Sequence, residues 1–207
     1  MRAFCCSTLV ALALALDVSP ALSQDQVIDR VLATVDGRVI TLSDVRGARA
    51  LNLVAPRPGP DPAKAVLDAL VDRVLVLGEV ERFAPPEPDP AAVEREVAAL
   101  RAAGPADFGA ALAAAGHDDA SLRRWVRNSL RIESYIAQRF AGVLDPSEDD
   151  VETYRRLHAP EAEAAGRPLD AAAVRAAVAA DRRAALVREW IAGLRARASL
   201  TFASPLP

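Results

Sequence analysis

The chain is poor in the residues that carry most side-chain chemistry. Its two cysteines, Cys5 and Cys6, both lie at the extreme N-terminus. Beyond them no disulfide, thiolate nucleophile or cysteine-ligated zinc can be built. Histidine is limited to His117 and His158, far apart in sequence and each in a turn region, a weak basis for a metal centre. Lys64 is the single lysine and sits in a Pro-rich stretch, so a catalytic lysine would have to be that residue. Aromatic residues make up 4% of the chain, too few for a surface that stacks bases. The 10 glycines include no phosphate-cradling loop and no Gly-x-Ser-x-Gly nucleophile elbow. The net charge of −3 argues against bulk electrostatic binding to nucleic acid or anionic lipid.

What is present is alanine, 45 of the 207 residues. Alanine is the strongest helix former, so the composition leans helical. The remaining large apolar residues suffice for one modest core, and the length suits one domain plus a targeting segment. Met1-Arg2 followed by the apolar run Phe4–Leu16 and the small residues Ala21 and Ser23 reads as a signal peptide over residues 1–23, cleaved before Gln24. The run is too short to span a bilayer comfortably as a mature helix, and an uncleaved N-terminal anchor is the alternative reading. Its loss removes both cysteines, together with Arg2 and Asp17, and leaves the charge unaltered. The expected localisation is the periplasm, with no stable membrane insertion after cleavage.

Residues 24–207 read as one mainly helical domain with a small β-sheet, in two parts over 24–157 and 170–207. Val27–Ile40 reads as a hairpin turning at Asp36-Gly37, a type I′ signal. Its alternation is imperfect, because Leu32 falls on the face opposite Val31, Ala33 and Val35. Thr41 and Asp44 start a helix expected to reach Leu53. Asp61-Pro62 and Asp89-Pro90 each open a helix by cap and first-turn proline. The first of these carries the stripe Leu67, Leu70, Val71, Val74, Leu77 and Val80. A short helix around Phe108 and Leu112 precedes a long one capped by Asp118 or Asp119 and expected to reach Leu144. Ser147 opens another short helix. His158–Pro168 reads as a break, and Asp170 caps a last long helix. Leu200-Thr201-Phe202 alternates as a strand that needs the N-terminal hairpin as its partner.

Three clusters suggest chemistry. His117 with Asp118 and Asp119 reads as a helix cap in preference to a metal site. Asp145–Glu152 reads as acidic residues favouring a helix start in preference to a catalytic acid pair. Arg123, Arg127 and Arg131 share one helix face, and pairing with Glu94 or Glu96 on a neighbouring helix competes with an anion-binding stripe. No cofactor is implied. The aromatic residues Trp125, Tyr135, Phe140, Tyr154 and Trp190 fit core positions, or in part a groove for apolar peptide.

The ordered set of segments resembles a known family. VIDRVLATVDGRVITLSDV resembles the opening of SurA-type periplasmic chaperones. AVLDALVDRVLVLGEVERF is similar to that family's next helix, and SLRRWVRNSLRIESYIAQRF with LDPSEDDVETYRRLH to its long helix and continuation. VREWIAGLRARASLTF resembles the C-terminal helix and strand that return to the N-terminal domain. The parvulin isomerase domain usual in that family has no room between His158 and Leu169. The resemblance therefore implies the chaperone fold without the enzyme: an ATP-independent binder of unfolded outer-membrane or secreted polypeptides, with no nucleic-acid partner. A structural module docking on one dedicated partner is the main alternative, and a prolyl isomerase a weaker one. The expected groove lining is Trp125, Leu130, Tyr135 and Phe140 on the long helix, with Leu51 and Leu53 from the first helix.

Overall fold

The structure is a computed structural model that describes residues 29–55, 59–141, 146–164 and 170–203. The expected signal segment, Val27 and Ile28 of the hairpin, Leu144 and Asp145 lie outside the described residues, as do residues 165–169 of the expected break. Seven helices and three strands are described. The mainly helical fold with a small sheet joining the hairpin to the C-terminal strand is what the sequence pattern led us to expect.

The hairpin consists of β1 (Val31–Val35) and β2 (Arg38–Thr41), antiparallel about Asp36 and Gly37, whose φ values are +47° and +82°. Both are left-handed, as a type I′ turn requires. β3 (Leu200–Phe202) pairs antiparallel with the other edge of β1, giving the order β2-β1-β3. The irregular alternation of β1 has a structural cause. Val31 faces Thr41 and Ala33 faces Ile40, so Leu32 is an extra residue, a β-bulge. The bulge lets Leu32, Ala33 and Val35 all reach the core while Val31 stays exposed.

Helix α1 (Leu42–Ala50) starts with a capping box between Thr41 and Asp44. It stops short of Leu53, because Asn52 takes φ +52° and the Leu53 N–H bonds back to the Ala48 carbonyl at 2.9 Å. Asparagine tolerates this left-handed position and so ends the helix. α2 (Pro62–Phe83) and α3 (Pro90–Ala103) open with the expected Asp-Pro caps, and α4 (Phe108–Ala114) follows. α5 (Asp119–Arg139) is capped by Asp118, which exchanges hydrogen bonds with Ser121, and ends five residues before Leu144. α6 (Glu148–Ala164) contradicts the expected break: it continues through Pro160. The proline removes one backbone hydrogen bond, but the flanking alanines and glutamates are strong helix formers and sustain the helix. α7 (Ala171–Arg197), capped by Asp170, is the longest helix at 27 residues.

The main core lies between the sheet, α1 and α2, with Tyr135 from α5 and Leu194 from α7. α2 is its axis, contributing Val66, Leu67, Leu70, Val71, Leu75, Val76 and Val80. A second core joins Leu51 to Val93, Val97, Phe108, Leu112, Leu122 and Val126 across α3, α4 and α5. A third, small one consists of Val151 on α6 and Val174 and Val178 on α7, with Tyr154 against them. α7 thus has two roles. Its first half packs on α6, and its second half, through Trp190, Ile191 and Leu194, closes on the main core.

Candidate functional site

Two cavities open along the seam of α2 and α5. The larger, about 580 Å³, is bounded by Leu53 and Val54 of the turn after α1, Ala65, Ala69 and Val76 of α2, Ile132 and Ile136 of α5, and Ile191 of α7. Its polar wall residues include Asp61, Lys64, Asp68, Asp72 and Glu133. Leu53, Val54, Ile132, Ile136 and Ile191 are half-buried: each packs on the main core and keeps part of its surface open. The smaller cavity, about 300 Å³, is bounded by Val39 and Ile40 of β2, Ala48 of α1, Leu70, Val74 and Leu77 of α2, and Trp125 of α5. Leu53 and Arg73 contribute to both walls. Concave, mostly apolar spaces with a few convergent polar groups are the usual form of a binding site.

Arg73 is the unusual member. It lies at helical spacing within the apolar stripe of α2, between Leu70 and Leu77, and its side chain crosses to α5. Nη1 donates to Ser129 Oγ at 3.0 Å and Nη2 to the Trp125 carbonyl oxygen at 2.9 Å. The guanidinium lies 3.7 Å from the centroid of the Trp125 indole, a cation–π contact. Burial pulls its pKa down to about 10, so it stays charged at neutral pH. Its hydrogen-bond partners are neutral oxygens. Arg195 on α7, by contrast, has counter-charges: Nε donates to Asp72 Oδ1 at 2.5 Å, Nη1 lies 3.4 Å from Asp68 Oδ1, and Nη2 donates to the Asp68 carbonyl oxygen at 2.7 Å. That clamp fixes α7 to α2 beside the larger cavity.

The arginine face of α5 pairs with acidic neighbours. Arg123 Nε donates to Glu94 on α3 at 2.7 Å. Arg127 and Arg131 both approach Glu87, at 3.5 Å and 3.4 Å. The Arg131 Nε is buried and, although close to Glu87, has no hydrogen bond in good geometry. At the start of α6, the Asp150 backbone N–H donates to the Ser147 hydroxyl and the Ser147 backbone N–H donates to the Asp150 carboxylate, and Asp150 also pairs with Arg182. Hydrogen bonding from Ser147, and the charge of Arg182, hold the Asp150 carboxyl below its ordinary value. These two clusters carry the capping and pairing roles read from the sequence.

The six residues singled out for a groove divide. Leu53 and Trp125 line the cavities. Leu51 is fully buried in the second core, and Leu130 is half-buried against it. Tyr135 and Phe140 are buried in an aromatic stack, with Tyr135 5.7 Å from Phe83 and 5.8 Å from Trp190, and Phe140 6.0 Å from Trp190. In this conformation those three buried side chains hold the fold and present no surface to a partner. Residues missed in the sequence are Val54, Ile132, Ile136, Ile191 and Arg73. A charged residue inside an otherwise apolar helical stripe was the readable signal for Arg73.

No protein-family model matches the chain, and no curated protein matches it significantly.

Proposed function

We propose that the chain is an exported, ATP-independent chaperone of the SurA type that holds unfolded outer-membrane or secreted polypeptides and lacks isomerase activity. The observation that carries this reading is the larger cavity, where half-exposed Leu53, Val54, Ile132, Ile136 and Ile191 give a partly open apolar wall. Unfolded outer-membrane chains carry alternating apolar and aromatic side chains that need temporary cover. A partly open apolar wall holds such side chains reversibly, because it buries a limited area for each one. The sequence resemblance and the signal-like N-terminus support the same reading. Its test is light scattering from a urea-denatured outer-membrane protein diluted into buffer. Several-fold molar excess of the chain is expected to suppress aggregation, and no suppression would overturn the proposal.

A second reading, a module docking on one dedicated partner, draws on Val31, Val39 and Phe202, three apolar side chains left exposed on the sheet. A stable stoichiometric complex with a single folded protein, together with no binding to denatured chains, would select it.

A further inference from the structure

The geometry points to the smaller cavity as a receptor for a polypeptide C-terminus: an apolar last side chain enters it and the terminal carboxylate meets Arg73 and Arg124. This deepens the polypeptide-binding reading and rests on it. Arg73 is a half-buried guanidinium whose hydrogen bonds go to a carbonyl and a hydroxyl, with no carboxylate against it among the described residues. A buried cation without a counter-charge is unfavourable, and a ligand carboxylate would supply one in the geometry guanidinium groups favour. Arg124 stands on the same wall, exposed, with the Asp118 carboxylate near enough to feel its charge but no ion pair at contact distance among the described residues. The one acid on that wall, Asp44, is engaged by the Thr41 backbone N–H at 2.8 Å and hydroxyl at 2.9 Å as the cap of α1. His117 is the remaining titratable group there. On that wall Arg73 and Arg124 outnumber Asp44, whereas the larger cavity carries more acids than bases. The rest of the wall is apolar, and about 300 Å³ suits one large side chain with its carboxylate. A chain passing through would also bury backbone N–H and C=O groups without partners, which a chain end largely avoids.

The test uses the full chain and Trp fluorescence, since Trp125 lies against Arg73. The probes are a hexapeptide ending in Leu-Phe with a free carboxylate, the same peptide amidated, and laurate. The free acid is expected to bind about tenfold more tightly than the amide, as a charge-assisted hydrogen bond implies. In Arg73→Gln, and separately in the exposed Arg124→Glu, the ratio of acid to amide affinity is expected to fall toward one. The second variant keeps the test valid if the first fails to fold. Equal binding of acid and amide overturns the inference while leaving the chaperone reading intact. Binding of laurate in place of the peptides overturns it in favour of a lipid site. Binding of neither peptide also overturns it, and the aggregation assay then decides the wider reading independently.

Discussion

The body of the molecule and its helical arm are built on different principles. In the body, the sheet, α1 to α5 and the second half of α7 share two cores, in which Val35, Leu51, Val71 and Val80 have no exposed surface. In the arm, α6 and the first half of α7 meet over Val151, Val174 and Val178 with Tyr154 against them, and Leu157 is left 69% exposed. Ion pairs between Glu148 and Arg175 and between Asp150 and Arg182 flank that seam. Pairs at such exposed positions contribute little. One helix therefore spans a strongly buried region and a weakly buried one. α7 is thus anchored from its C-terminal end, where Leu194, Trp190 and the Arg195 clamp tie it to the main core and α2. The arm is then the part expected to open first by local unfolding.

The largest expected effect breaks the body. Leu67→Ala, in the main core, is expected to cost about 2–5 kcal/mol of global stability in urea unfolding. Val174→Ala, the matching change in the arm, is expected to leave the global transition nearly in place and to lower hydrogen-exchange protection in α6 and the first half of α7. Equal global losses for the two would mean that arm and body unfold as one unit. A smaller effect sharpens the role of the anchor. Arg195→Ala removes the charge that Asp68 and Asp72 share and is expected to destabilise by about 1–3 kcal/mol, with early loss of α7 protection.

Acid gives the smallest effect and acts on the arm. Asp150 has a folded pKa below its ordinary value of 3.8, through its Ser147 hydrogen bonds and then Arg182. The stabilisation is therefore complete above the unfolded value and is lost as the pH falls through the folded one. Between pH 5 and a pH below about 3, the arm's exchange protection is expected to fall in the wild type more than in Asp150→Asn. An equal fall in both would remove Asp150 from the account.

Most of the fold was legible because its helix starts are written locally. Thr41 with Asp44, Asp61-Pro62, Asp89-Pro90 and Asp170 each place a cap beside the groups it satisfies. The return of Leu200–Phe202 to the hairpin was legible because a three-residue strand needs a partner. The bulge at Leu32 showed only as broken alternation, since which residue is extra depends on register across β2. The passage of α6 through Pro160 was not legible, because a proline signals a break while the flanking helix formers signal the opposite. The candidate site was read only in part. Leu53 and Trp125 were found, but Leu51, Tyr135 and Phe140 face inward while Ile132 and Ile136 face the cavity. That rotation of α5 is set by its packing on α2 and α3, which periodicity alone does not contain.

The central claim is that unfolded polypeptide rests on the α2–α5 cavity of the body and not on the arm. Site-specific photo-crosslinking tests it most directly, with the reactive group placed at Glu133 on the cavity wall or at the exposed Arg183 on α7. The account predicts adducts with a denatured outer-membrane protein from position 133 and none from position 183. Adducts from position 183 alone would contradict it.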